Sequence, residues 1–322
     1  MIIKIILPVL CCLACCLDES AHPEKAVETL NQGVAKNKFA WTKLLDTAGW
    51  KKSYNFQMFS MKDKLWVFHP DGVWYSSNGV NWNKSELTNS INNLAFLDYV
   101  QFKDAVYGLG HFEGNIESFS LKTEIYKTSD LKHWNTIATQ SNLPKRFFYH
   151  PFVFKNKIWI VGGEDKHTQY ADIWNSSDGI NWNQVKGNLP FGKRSHSKIV
   201  NLRDTLYLLN NDVWISVDGI EWKRIATEIV KDQTVFGYAV EVLDDKIWLI
   251  GCNRNGLFTS QVLASSNGVN WAAQDAPWTP RGGMASAVHH NKIYVTGGKY
   301  GGTPDQPDFR YSNDVWVLEK TQ

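Results

Sequence analysis

The chain has 322 residues, 43% of them hydrophobic and 13% aromatic, enough to bury a large core. Lys plus Arg number 34 against 32 for Asp plus Glu, a net charge of +2, and loss of a leader holding Lys4 would leave +1. A charge this close to zero supplies no general field for a polyanion, so nucleic acid is excluded as an expected partner.

Residues 1–16 (MIIKIILPVLCCLACC) carry one positive charge followed by an apolar run too short to cross a bilayer. That is the layout of a secretory signal peptide, outside the folded domain. Its end, Cys12-Leu13-Ala14-Cys15-Cys16, resembles a bacterial lipobox, which implies diacylation of a new amino-terminal cysteine. Two frames are open: Cys15 follows the small Ala14, whereas Cys16 has Leu13 three positions before it. An ordinary cleaved leader is the alternative. The lipobox resemblance implies a lipoprotein of the bacterial cell envelope, meeting the membrane through its lipid anchor only. Four of the five cysteines lie in this leader, leaving Cys252, so no disulfide framework is expected and stability rests on burial. Residues 17–37 are polar without strand patterning and read as a flexible tether.

From residue 38 onward the chain is periodic. Ser76-Ser77-Asn78-Gly79-Val80-Asn81-Trp82 recurs around Trp182, Trp222 and Trp271, with a degraded copy ending at Trp134. Asn-Gly and Asp-Gly between apolar residues predict hairpin tips of type I′, with positive φ at both central positions. Counting Trp41, the tryptophans recur every ~40 to 50 residues, the period of a four-stranded propeller blade. A second column precedes each tip: Asp63, Asp104, Asn156, Asp204, Asp245 and Asn291 each stand three residues before an aromatic. Each unit therefore begins strand, turn, strand. A third strand follows around Trp74, Trp174, Trp214 and Trp316.

Gly162-Gly163 and Gly297-Gly298 follow the second strand, with remnants at Gly110 and Gly251. With these glycines and the spaced aromatics, residues 38–322 resemble the kelch-repeat family, to which the galactose oxidase central domain belongs. The resemblance implies a β-propeller, in agreement with the count of six units. The fold class expected is all-β, a six-bladed propeller of four-stranded blades. The last unit, residues 281–318, has three strands, and residues 38–45 (KFAWTKLL) have the Trp41 of a fourth strand with no strands before it. The ring is therefore expected to close by pairing the amino-terminal strand with the carboxy-terminal blade, which removes open sheet edges.

The tip motif is also similar to the Asp-box of sialidases, one residue shorter between Asp and Gly; that box is an outer turn without catalytic duty. A sialidase needs an arginine triad, an acid and a tyrosine nucleophile, and Phe309-Arg310-Tyr311, similar to that family's early arginine segment, lies at the opposite end of the chain. Galactose oxidase holds copper through tyrosine and histidine beside a Cys-Tyr crosslink, which would implicate Tyr149, His150, His196, His289, His290 and Cys252. Strand neighbours point to opposite faces, so Tyr149 and His150 are not expected to share a site. A kelch-type sialic-acid mutarotase would use an arginine and an acid at the channel mouth. No P-loop, HExxH, CxxC pair, GxSxG or dinucleotide fingerprint occurs. No catalytic residue, cofactor or metal ligand is therefore assigned, and the expectation is a binding module for a protein or carbohydrate ligand, with a sugar-directed enzyme (carbohydrate isomerase or mutarotase) as the alternative.

First strands of blades line a propeller's channel. Thirteen residues before each second-strand aromatic stand Ser53, Leu94, Arg146, Arg194, Val235 and Arg281, and two residues further Asn55, Phe96, Phe148, His196, Gly237 and Gly283. Arg146, Arg194, Arg281, His196 and Asn55 are candidate ligand contacts at one mouth, or else arginines that pair within the fold. The connections at residues 111–122, 164–170, 253–261 and 299–311 are long and polar, where binding function concentrates. They add Tyr170 and Arg310, and less directly His111, Phe112, Arg254 and Tyr300. Trp50 and Trp278, three residues before first strands of blades 1 and 6, are expected either to pack between blades or to stand together as a stacking platform.

Overall fold

The structure, a computed structural model, describes residues 39–87, 97–115 and 118–321. The signal peptide, the Cys15 or Cys16 lipidation site, the tether, Leu94, Phe96 and the side chains of His111 and Phe112 lie outside the described residues. Among the described residues there is no helix, and six four-stranded antiparallel sheets form the blades. Their innermost strands are Gln57–Met61, Asp98–Phe102, Phe152–Phe154, Lys198–Leu202, Ala239–Leu243 and Ala285–His289, for blades 1 to 6. These strands abut one another in order around the ring. Blade 1 meets blade 2 where Gln57 Nε2 donates to the Leu97 carbonyl at 3.1 Å and Phe59 packs edge-on against Tyr99.

Blade 6 is completed as its sequence requires. Phe39–Leu45 lies outermost, antiparallel to Val315–Lys320, with Phe39 opposite Lys320 and Trp41 opposite Leu318. Trp41 thereby takes the fourth-strand place that Trp82 and Trp222 hold in blades 1 and 4. In each case the tryptophan clusters with the third-strand tryptophan and an aromatic from the connection entering that blade. The sets are Trp50 with Trp74 and Trp82, Phe191 with Trp214 and Trp222, and Trp278 with Trp41 and Trp316. Trp50 and Trp278 are 1% and 5% exposed and belong to separate clusters, so the stacking platform does not exist. Each indole is drawn under its own blade because an edge-to-face contact buries it against two other rings.

The Asn-Gly and Asp-Gly tips are not type I′ turns. Positive φ occurs at Gly79 and Gly179 but not at Asn78 or Asp178. The loop is instead held by side chains: Ser176 Oγ accepts from the Gly179 amide, Asp178 Oδ1 accepts from the Ile180 and Asn181 amides, and the Trp182 indole donates to the Gly179 carbonyl. Short hydroxyl and carboxylate side chains compete with ladder bonds in this way. The type I′ geometry lies in the other column, where Lys62 and Asp63 have φ of 52° and 57°, and the equivalent pairs of blades 3 to 6 match them.

The two columns meet between blades. A Cβ on Gly79 would lie 2.5 Å from the Tyr294 ring, and one on Gly179 2.7 Å from the Tyr107 ring. Each tip glycine thus seats on the second-strand aromatic of the preceding blade, which explains why the repeat keeps both. The core is likewise divided between blades: Phe154, Trp159 and Val161 of blade 3 pack with Leu206, Leu208 and Trp214 of blade 4.

Candidate functional site

The three arginines at the starts of first strands do not face a ligand. Arg146 is 2% exposed and holds Asp172 through two bonds of 2.7 and 3.0 Å, donates to the Gly162 carbonyl at 2.9 Å, and lies 4.1 Å from the Tyr170 ring centre. Arg194 holds Asp212 at 2.8 and 3.3 Å, and buried Arg281 pairs with Asp314 at 2.8 Å. Each aspartate also accepts from the third-strand indole two residues on, Trp174, Trp214 or Trp316. Arginine, aspartate and tryptophan form one repeated brace within blades 3, 4 and 6, bidentate in blades 3 and 4, because a planar guanidinium matches a carboxylate where water is excluded. Tyr170 serves the same brace: its hydroxyl donates to Asp165 at 2.5 Å while its ring covers Arg146, and burial with the Asp165 charge pushes its pKa up to about 12. All four residues are structural corrections to the expected contact set.

The next column remains open. Asn55, Phe148 and His196 are exposed and have φ of 56°, 56° and 60°, at the position where blades 5 and 6 use Gly237 and Gly283. The backbone runs from blade to blade here: His196 N donates to Phe148 O at 2.8 Å, Gly283 N to Gly237 O at 2.7 Å, and Asn55 N to Gly283 O at 3.0 Å. This arc of amides rims the channel and fixes the left-handed conformation. Glycine enters that conformation without penalty, whereas a bulky side chain is strained by roughly 1–2 kcal/mol.

The Phe148 and His196 rings lie 4.0 Å apart, tilted by 31°, and the cluster extends through Phe147 at 4.4 Å on one side and Phe236 at 5.5 Å on the other, both tilted. Phe148 is 43% and Phe236 57% exposed. Across the mouth Tyr54 stacks on Tyr311, and the Lys299 ammonium lies over both Tyr54 and Phe309. Phe147, Phe236, Tyr54 and Lys299 were not singled out from the sequence. They neighbour the column residues directly, which was the available signal.

Beneath this crown each blade places one polar residue at or near the start of its innermost strand: Gln57, Asp98, His150, Lys198, Glu241 and Ser286, all partly open to solvent. Ser286 donates to Glu241 at 2.6 Å, and His150 Nδ1 accepts the Ile199 amide at 2.9 Å. Protein around the channel pushes the Asp98 carboxyl up to about 7, against the pull of Lys198, and Glu241 likewise to about 7. Burial and then Lys198 hold His150 down to about 3, so it is neutral. Burial lowers the Lys198 ammonium, opposed by Asp98 and Glu241.

The long connections are mostly hairpins rather than loops. Blade 2 extends its second and third strands to Ala105–Asn115 and Ser118–Thr128, with His111 opposite Lys122. Cys252–Arg254 pairs with Leu257–Thr259, and Tyr300 stands opposite exposed Arg310. The groups that copper would need do not converge. Tyr149 is buried against Gly110, Cys252 is buried, and His289 and His290 stand at the opposite face on a first-to-second-strand turn. Asp63, His289 and His290 bring ligand atoms within 4.8 Å of one another, but the two imidazoles stack at 3.8 Å. Stacked rings hold their in-plane lone pairs side by side instead of aiming them at one ion. His290 Nε2 bonds Asp63 at 2.5 Å and His289 Nδ1 bonds Ser60 at 2.8 Å.

Residues 128–260 match the model of the DUF6242 beta propeller domain. No curated protein matches the chain. Among solved structures, "Structure of YjhT" is similar with a TM-score of 0.67 over 85% of this chain and 96% of that one, at 11% identity. That likeness is one of fold, and with the six closed sheets it establishes this chain as an all-β propeller.

Proposed function

We propose that this protein is a kelch-type propeller held in a bacterial envelope by a lipidated amino terminus, and that it binds a protein or glycan through the mouth at Phe148 and His196. The observation that carries the reading is the exposed Phe148 and His196 pair, rings in contact, held in left-handed backbone where two other blades use glycine. Strain with no burial to offset it marks a contact kept for a ligand. A sugar-directed enzyme would need a carboxylate with a perturbed pKa converging with an arginine, and the arginines are committed to Asp172, Asp212 and Asp314.

Phe148→Gly and His196→Gly are expected to leave the urea midpoint unchanged or to raise stability by up to about 1 kcal/mol, since strain is relieved. Each is expected to abolish retention of the purified protein on an oligosaccharide and peptide array that the parent binds. Loss of several kcal/mol in both variants would make the pair structural. For the anchor, two acyl chains give stable membrane attachment where one does not. Replacing both Cys15 and Cys16 by Ser is expected to move the protein from the membrane to the soluble fraction, and an unlipidated intact mass for the parent would refute the anchor.

A further inference from the structure

We infer that the ligand carries a protonated amine, which enters the channel between Asp98 and Glu241 while the adjoining part of the ligand stacks on Phe148 and His196. This rests on the mouth being a binding site and adds the chemistry of what it takes.

The charges that face the channel favour a cation. Six polar residues line its upper part, and three are ionisable to a charge near neutrality: Asp98, Glu241 and Lys198. His150 is neutral, with its Nδ1 used by the Ile199 amide, and Gln57 and Ser286 are committed to the Leu97 carbonyl and to Glu241. One level higher, Glu164 accepts from Ser195 at 2.6 Å, and burial keeps the His196 imidazole below its usual pKa against the pull of Glu164. Tyr99 and Tyr149, beside Asp98, are held in the protonated phenol form by burial.

Two channel carboxylates therefore face one ammonium. Neither Asp98 nor Lys198 makes a side-chain hydrogen bond among the described residues, and both keep part of their surface in the channel. With both carboxyls ionised, an anionic guest would meet a net negative charge on the inner-strand residues. A neutral guest would leave the second carboxylate without a counterion. A cation supplies what Lys198 alone does not, and the aromatic rim favours it again, because the faces of Phe148, Phe147 and Phe236 carry negative quadrupole density. Burial raises both carboxyls against the pull of Lys198, and a bound ammonium would favour their ionised form.

An ammonium group can arrive on a lysine side chain or on an amine-bearing sugar, and the test separates the two. The probes are Nα-acetyl-lysine amide and 2-aminoethyl glucoside, each compared by calorimetry with its amine-acetylated form. At about pH 8 at least one free amine is expected to bind about tenfold or more tightly than its acetylated form, the scale of a hydrogen bond to a charged group. Which probe binds identifies the source. The advantage is expected to vanish at about pH 5.5, where carboxyls that titrate near 7 take up protons, and to vanish at pH 8 in Asp98→Asn and Glu241→Gln. If Asp98→Asn fails to fold, Glu241→Gln and the pH comparison carry the test. Equal binding of amine and acetylated probes, lost in Phe148→Gly, would overturn the charge assignment and leave the mouth intact as a binding site. Absence of binding by both free amines would overturn it as well.

Discussion

Removal of Phe39–Leu45 is expected to leave no soluble protein with a cooperative unfolding transition. The strand pairs with Val315–Lys320 along its whole length, and Phe39 and Trp41 pack against the cluster that also holds Trp248, Trp278 and Trp316. Its loss would do three things together. It exposes the long apolar edge Val315–Lys320, a template for intermolecular pairing. It uncovers Trp278, which has Trp41 and Trp316 as ring neighbours. It also opens the face that joins blade 6 to blade 5, where Phe39 packs edge-on against Trp248 at 5.2 Å. Burying a large aromatic is worth roughly 3–5 kcal/mol by truncation, and two are lost at once, which approaches the whole stability of a domain. Circular dichroism melting and size exclusion of the truncated chain decide the matter. A monomeric protein melting cooperatively near the parent would refute closure by this strand.

The second large effect belongs to the arginine braces. Asp172→Ala is expected to destabilise the protein by about 3–5 kcal/mol, because the Arg146 guanidinium is left charged and buried with its partner removed. Arg146 keeps the Gly162 carbonyl but loses both carboxylate bonds, and the Trp174 indole loses its acceptor. Asp212→Ala is expected to cost less, since the Arg194 and Asp212 side chains are 14% and 19% exposed against 1% and 9% for the blade 3 pair, and water partly replaces the lost partner. Pairing Arg146→Met with Asp172→Leu is expected to restore much of the loss, as two apolar side chains of similar volume satisfy the same space without desolvation. Urea denaturation of the three variants checks the order. An Asp172→Ala loss below about 1 kcal/mol would mean that the brace contributes no more than a surface pair.

Much of the architecture is legible in the residues alone, because most blades solve the same packing problem with the same two contacts. A tip glycine must sit on the aromatic of the blade before it, as Gly179 sits on Tyr107, and each strand-one turn must accept positive φ, as Lys62 and Asp63 do. Local chemistry repeated along the chain gives a period, and the period counts the blades. Closure was legible too, since a lone fourth strand at residues 38–45 and a blade lacking one at the other end are complementary. The tip turn was misread for a related reason: Asn-Gly is compatible with both a type I′ pair and a side-chain-closed loop, and Ser176 with Asp178 supplies the bonds that choose the second.

The binding site was only half legible. Position within the repeat placed Arg146 and His196 within two residues of each other in register, yet one lies under Tyr170 and the other lies open beside Phe148. What separates them is the partner across the blade, Asp172, more than twenty residues away in the chain, and no local pattern announces such a pair. Trp50 and Trp278 illustrate the same limit, since adjacency of their blades says nothing about which face of a connection turns inward. The channel set of Asp98, Lys198 and Glu241 was invisible, because each comes from a different blade and none stands out in its own strand. The sequence by itself determined the number of blades, the strands in each and how the ring closes, all of which follow from short-range contacts repeated along the chain. Only the tertiary structure decided which charges are neutralised within a blade and which face the channel, because that depends on groups brought together from blades far apart in sequence.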